Sequence, residues 1–200
     1  TETESSWGEF FASLKERGLK DVRLITSDNH KGLVNAVKRH FQGATWQRCQ
    51  THFSRNMLDH TPKALQPVIK EDLRELYEAV DLDSARKVRD QLLGKYGTIA
   101  PKAATLLDES FDDVTAVLAV PLKYRKRLRT TNGVERLNQE VRRRERVIRI
   151  FPNEASVIRL MGALLMEQDE KWQAGRKYFD MDLYYQSMEN KKTKDSNSAA

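Results

Sequence analysis

Hydrophobic positions repeat with helical, strand and again helical spacing as the chain begins. Over 6–17, Trp7, Phe10, Phe11 and Leu14 recur at i, i+3, i+4 and i+7, which predicts an amphipathic helix stopped by Gly18. Residues 22–26 are too apolar on both faces for an exposed edge and predict a strand central in a covered sheet. A second helix over 31–41 carries Leu33, Val34, Val37 and Phe41, ends at Gly43, and is followed by a second strand over 44–49. This order implies an α/β layer with parallel strands.

The pattern then becomes wholly helical from 53 to 120, punctuated by Pro62, Pro67, Gly94, Gly97 and Pro101. Leu65, Ile69, Leu73 and Leu76 form one stripe; Leu106, Leu107, Phe111, Val114, Val117 and Leu118 form another. A last long helix is expected over 154–185, with Val157, Leu160, Met161, Leu164 and Leu165 inward. The tail over 189–200 is polar and reads as disordered. Four stretches follow: an α/β part over 5–52, a helical insertion over 53–120, a C-terminal part over 121–188, and the tail.

Composition narrows the class. Of the 200 residues, 39% are hydrophobic and 32% charged, which suits a helix-rich globular chain. No uncharged run approaches the roughly 18–20 residues needed to cross a bilayer, and the first twenty residues lack a signal-peptide pattern. The single cysteine, Cys49, fits a reducing cytosol and so a cytoplasmic location.

Charge is unevenly placed. The net charge is +6, yet residues 121–150 alone hold eleven Lys or Arg against three Glu. Such local density is the footprint of a phosphate backbone, so DNA is the expected partner. The candidate contacts are Arg125, Lys126, Arg127, Arg129, Arg136, Arg142, Arg143, Arg144 and Arg146. Arg dominates over Lys, which favours bidentate phosphate contacts.

Two acids stand out. Asp28 closes the first strand in LITSDNHKGL, where a carboxylate either caps the next helix or, at the carboxyl end of a parallel strand, holds a divalent metal. Glu135 in RTTNGVERLN sits three residues after Asn132, as in a capping box, but lies within the basic run. A carboxylate for metal surrounded by cations for phosphate is what cutting or joining DNA requires. Cys49 and His52 form a C-x-x-H pair. A structural zinc site needs four ligands and no second pair lies nearby, so the pair reads as support for the end of a strand.

Taken together, SDNHKGL, RCQTHFSRN, RTTNGVERLNQEVRRR and IRIFPNEAS resemble the catalytic domain of Mutator-type bacterial insertion-sequence transposases, over residues 7–185. The resemblance implies an RNase H-like α/β core with a mostly helical insertion. It also implies an Asp, Asp, Glu catalytic set in which Asp28 is the second acid and Glu135 the third. Two Mg²⁺ (or Mn²⁺) ions would be held by these carboxylates for phosphoryl transfer at transposon ends. Transposon-end and target DNA are the implied partners, and a homodimer the implied assembly of the complete protein. The family's first Asp and first strands have no match ahead of Ser6, so the chain is expected to be the C-terminal part of a transposase and inactive alone. The alternative is a non-catalytic DNA-binding module that uses the Arg-rich segment 123–149.

Overall fold

A computed structural model of the protein describes residues 2–175, 181, 182 and 184–186. The tail expected over 189–200 lies outside these residues, as do 176–180 and 183 of the last expected helix. The chain divides into two units, Thr1–Thr131 and Asn132–Ala200.

The first unit begins with the expected α/β order: α1 (Glu4–Glu16), β1 (Leu24–Ser27), α2 (Lys31–His40) and β2 (Thr45–Arg48). Thr3 starts α1 through a capping box, its hydroxyl accepting from the Ser6 amide while the Ser6 hydroxyl accepts from the Thr3 amide. The strands are parallel, with Leu24 opposite Thr45 and Ser27 opposite Arg48. Phe11, Ala36 and Val37 are buried between α1, α2 and the sheet, with Trp7, Ile25, Leu33 and Trp46 packed against them. The helices approach closely at Gly32, where a Cβ would lie 2.9 Å from the Glu4 amide nitrogen. That contact explains the glycine of SDNHKGL sterically.

One expectation changes. Among the described residues β1 pairs with β2 alone, so the further strands of a covered sheet are not seen beside it. Its apolar residues are half-buried, because α1 and α2 cover one face through Ile25 and only part of the other is covered.

A helical layer follows, as the stripes predicted. It comprises α3 (Gln50–Asp59), α4 (Gln66–Tyr77), α5 (Leu82–Tyr96), α6 (Pro101–Thr115) and α7 (Leu122–Leu128), with 3-10 turns at Lys63–Leu65 and Ala116–Ala119. Pro67 and Pro101 start helices, where a missing N–H costs nothing. The core is built from Phe53, Met57, Ile69, Leu73, Leu107 and Phe111, all at most 1% exposed.

Polar side chains join the two layers of this unit. Gln47 on β2 is fully buried. Its amide nitrogen donates to the carbonyls of Val114 (2.9 Å) and Arg48 (2.7 Å), and its oxygen accepts from the Val117 amide (2.6 Å). Gln50 also donates to Val114 O (2.9 Å), and Arg48 donates to Ser110 Oγ (2.7 Å) while its guanidinium lies 5.0 Å from the Phe53 ring centroid. Burial lowers the pKa of Arg48 and raises that of Asp113, which faces it.

The second unit holds α8 (Asn132–Ile148) and α9 (Glu154–Ala174), the latter capped by Asn153 Oδ1 accepting from the Ser156 amide (2.9 Å). The inward stripe expected on α9 is only partly realised. Leu164 is buried; Val157, Leu160 and Met161 are half-buried; and Leu165 is 45% exposed. Within its unit α9 has little besides α8 to pack on, so only a narrow stripe is covered. No helix among the described residues is long and apolar enough to cross a membrane.

Candidate active site and nucleic-acid interface

Asp28 follows the last residue of β1 at the carboxyl end of the parallel pair. The structure removes its helix-capping reading. The residue that precedes α2 is His30, no side chain caps that helix, and Asp28 lies two residues too early to do so. Its carboxylate is exposed and makes no hydrogen bond or ion pair among the described residues. The backbone beneath it is fixed by neighbours: Trp46 Nε1 donates to Ser27 Oγ (2.9 Å), and Ser27 Oγ donates to the Asp28 carbonyl (2.8 Å). Neither Trp46 nor Ser27 stood out in the sequence, because an indole and a hydroxyl on adjacent strands signal nothing until the register is known.

Cys49 and His52 occupy the joint between β2 and α3, Cys49 buried and His52 half-buried. Cys49 Sγ lies 3.4 Å from Thr131 Oγ1. Two further bonds hold the same returning stretch: the Gln50 amide donates to Arg129 O (3.0 Å), and Thr26 Oγ1 donates to Leu128 O. The ends of both strands therefore clamp residues 128–131. Thr131 stands four residues ahead of Glu135. Among the described residues no group of three or more His, Cys, Asp or Glu is placed to hold a metal.

Glu135 lies in the first turn of α8 and is half-buried. Because α8 already starts at Asn132, Asn132 belongs to that turn and is not a cap ahead of it. The positive end of the helix dipole favours an ionised carboxylate there.

The basic segment proves heterogeneous. Arg125, expected at a phosphate, points inward instead. Its guanidinium donates to the carbonyls of Leu118 (2.9 Å), Val120 (2.8 Å), Ala79 (3.2 Å) and Val80 (2.8 Å), tying α7 to the ends of the preceding helices. This is a structural role, dictated by four carbonyls left unpaired where helices end. Arg125→Met should lower the stability of the chain by about 2–4 kcal/mol, read as a shift in urea midpoint, by stranding those carbonyls.

Arg143 and Arg144 are also engaged. Arg143 grips Glu140 with two bonds of 2.7 Å, and Arg144 Nε adds a third of 3.0 Å. These bonds hold the Glu140 carboxyl down to about 2, so it stays ionised and neutralises part of the helix. Arg136, Arg142 and Arg146 on α8 and Lys126 on α7 are exposed and make no bond among the described residues. Arg127 is exposed too, while Arg129 is half-buried and offers its carbonyl to the clamp.

Comparison with known proteins gives a consistent picture. A family model described as "Transposase, Mutator family" matches residues 1–175. The chain is 41% identical over 181 residues to the transposase for insertion sequence element ISRM5 of Rhizobium meliloti (strain 1021), covering 90% of this chain and 46% of that protein. It is 42% identical over 184 residues to the transposase for IS256 in transposon Tn4001 of Staphylococcus aureus, covering 90% and 47%. The transposase for IS1081 of Mycobacterium tuberculosis is 40% identical over 182 residues, covering 91% and 44%. The chain thus spans about half the length of these relatives.

Proposed function

The chain belongs to the Mutator family of transposases, and on that premise we propose that it forms part of the phosphoryl-transfer core of an insertion-sequence transposase. The core is RNase H-like, with Asp28 and Glu135 as the second and third acids. The observation that carries this reading is Asp28: a carboxylate at the carboxyl end of a parallel strand, freed from any capping duty and without a partner among the described residues. Such a group fits a hard divalent cation. Two Mg²⁺ ions, when bound, would stabilise the attacking and leaving oxygens of an in-line displacement by water or a DNA 3′-hydroxyl. Asp28 and Glu135 then serve as ligands and never as nucleophiles. Lys126, Arg136, Arg142 and Arg146 bind DNA phosphates, while the clamp on 128–131 fixes the end of the first unit.

The first acid of the set has no match in this chain. Glu4, in the first turn of α1, accepts from Asn35 Nδ2 (3.2 Å) and pairs with Arg39 (3.9 Å). The 200-residue chain should therefore bind transposon-end DNA and leave it uncut in the presence of Mg²⁺; robust metal-dependent cleavage by the chain alone would refute the assignment. In the complete protein, a homodimer acting on transposon ends and target DNA is the proposed assembly.

The Glu140 pairing yields a second expectation. Glu140→Gln removes the carboxylate that holds Arg143 and Arg144, so DNA affinity should rise several-fold and its salt dependence should steepen. Unchanged affinity in a filter-binding titration would show that these two arginines stay away from the duplex.

A further inference from the structure

A second basic surface lies outside the Arg-rich segment. A cleft of about 590 Å³ opens at the amino-terminal end of the sheet, opposite the end that carries Asp28. Lys15, Lys20, Arg23 and Arg39 line it, against the single acid Asp21. The sequence hides this concentration. Residues 15–43 hold seven Lys or Arg against three acids, but acids on both sides of this stretch, in residues 1–14 and 44–120, offset the excess in a whole-chain count.

The four cations are not equivalent. Lys15 donates to the His40 carbonyl and stacks 5.0 Å from the Phe41 ring centroid, and Arg39 sits in the last turn of α2, where a cation complements the helix dipole. Local structure accounts for both. It does not account for Lys20 and Arg23, which belong to no helix, are exposed, and make no side-chain bond among the described residues. Their placement is nonetheless built. Asp21 between them takes the left-handed conformation (φ 57°), and the Arg23 carbonyl is fixed by the Thr45 amide (2.8 Å) at the start of the sheet. The cleft is open, and its cations come from three separate stretches, which suits successive phosphates of a polymer better than one small anion.

We propose that this cleft is a second contact for the phosphate backbone of duplex DNA, with Lys20 and Arg23 as its free cations. The inference rests on the DNA-binding part of the function proposed above. It also answers a shortfall created there, since Arg125, Arg143 and Arg144 are occupied within the protein.

The test is a salt titration of duplex binding by the full chain. Lys20→Ala with Arg23→Ala should weaken binding about tenfold near 0.1 M salt and lower the slope of log K against log salt by about 2. Neither side chain makes a bond, so circular dichroism and melting should be unchanged. The control is Lys63→Ala with Lys70→Ala, an equal charge loss on the helical layer, which should change neither quantity appreciably. An unaltered slope in the Lys20/Arg23 variant overturns the proposal, as does an equal loss in the control. Displacement of DNA by micromolar inorganic phosphate would mark a small-anion pocket and overturn it as well. If Arg142→Ala with Arg146→Ala weakens binding while the Lys20/Arg23 variant does not, the cleft alone is refuted. A chain that binds no duplex refutes the underlying function too.

Discussion

Glu135→Gln and Asp28→Asn, each placed in a transposase of the full length of its relatives, are expected to lower strand transfer about a thousandfold or more while leaving end binding intact. An amide keeps the shape of the acid and removes the negative charge a divalent ion requires. The structure makes the Asp28 variant especially informative. A capping aspartate replaced by alanine would cost about 1 kcal/mol of stability, whereas asparagine caps about as well as aspartate. Asp28 caps nothing and its carboxylate has no partner among the described residues, so Asp28→Ala should leave the melting temperature of the 200-residue chain unchanged. A variant of either acid with full strand-transfer activity would remove that acid from the metal site. A substantial fall in melting temperature for Asp28→Ala would instead restore a structural role.

Gln47→Leu should be among the most destabilising single changes in the first unit, by about 3–5 kcal/mol in a denaturant melt. Leucine has nearly the volume of glutamine, so the loss is not a cavity. It removes the acceptor of the Val117 amide and one of the two side-chain donors to Val114 O. An unsatisfied buried group costs about 1–3 kcal/mol, and the site is fully enclosed. Gln47→Glu should be no milder, because it brings a carboxylate into a dry interface beside the Val114 carbonyl. A melt within 1 kcal/mol of the parent for the leucine variant would mean that the two layers are held by apolar contacts alone.

The elements of the first unit were largely legible because their apolar periodicity is strong: Trp7–Leu14, Leu33–Phe41 and Ile69–Leu76 each mark a covered face, and each became a helix. The parallel pairing followed from element order. Buried glutamines and an inward arginine escaped, since Gln47 and Arg125 read locally as surface residues, and only the neighbouring helix ends reveal the carbonyls they satisfy. Charge density flagged the Arg-rich run but could not say which guanidinium has a private partner. Glu140 decides that for Arg143 and Arg144 through helical spacing, and here the sequence did carry a signal, since the pairs fall at i+3 and i+4. Apolar residues on α9 over-predicted burial, because period alone says where a face lies and not whether a neighbour covers it.

The bond between the Gln50 amide and the Arg129 carbonyl spans 79 positions of chain yet closes within 3.0 Å. The helical layer is therefore an excursion that returns to its point of departure. For the sheet end, what matters is that the polypeptide comes back to it, not how far it has travelled. Loop-closure entropy grows only logarithmically with length, so lengthening the excursion costs little once its exit and re-entry are stapled. The helical layer is thus a place where such a chain can grow, shrink or acquire a new surface between Gln50 and Arg129 without moving the residues at the strand ends.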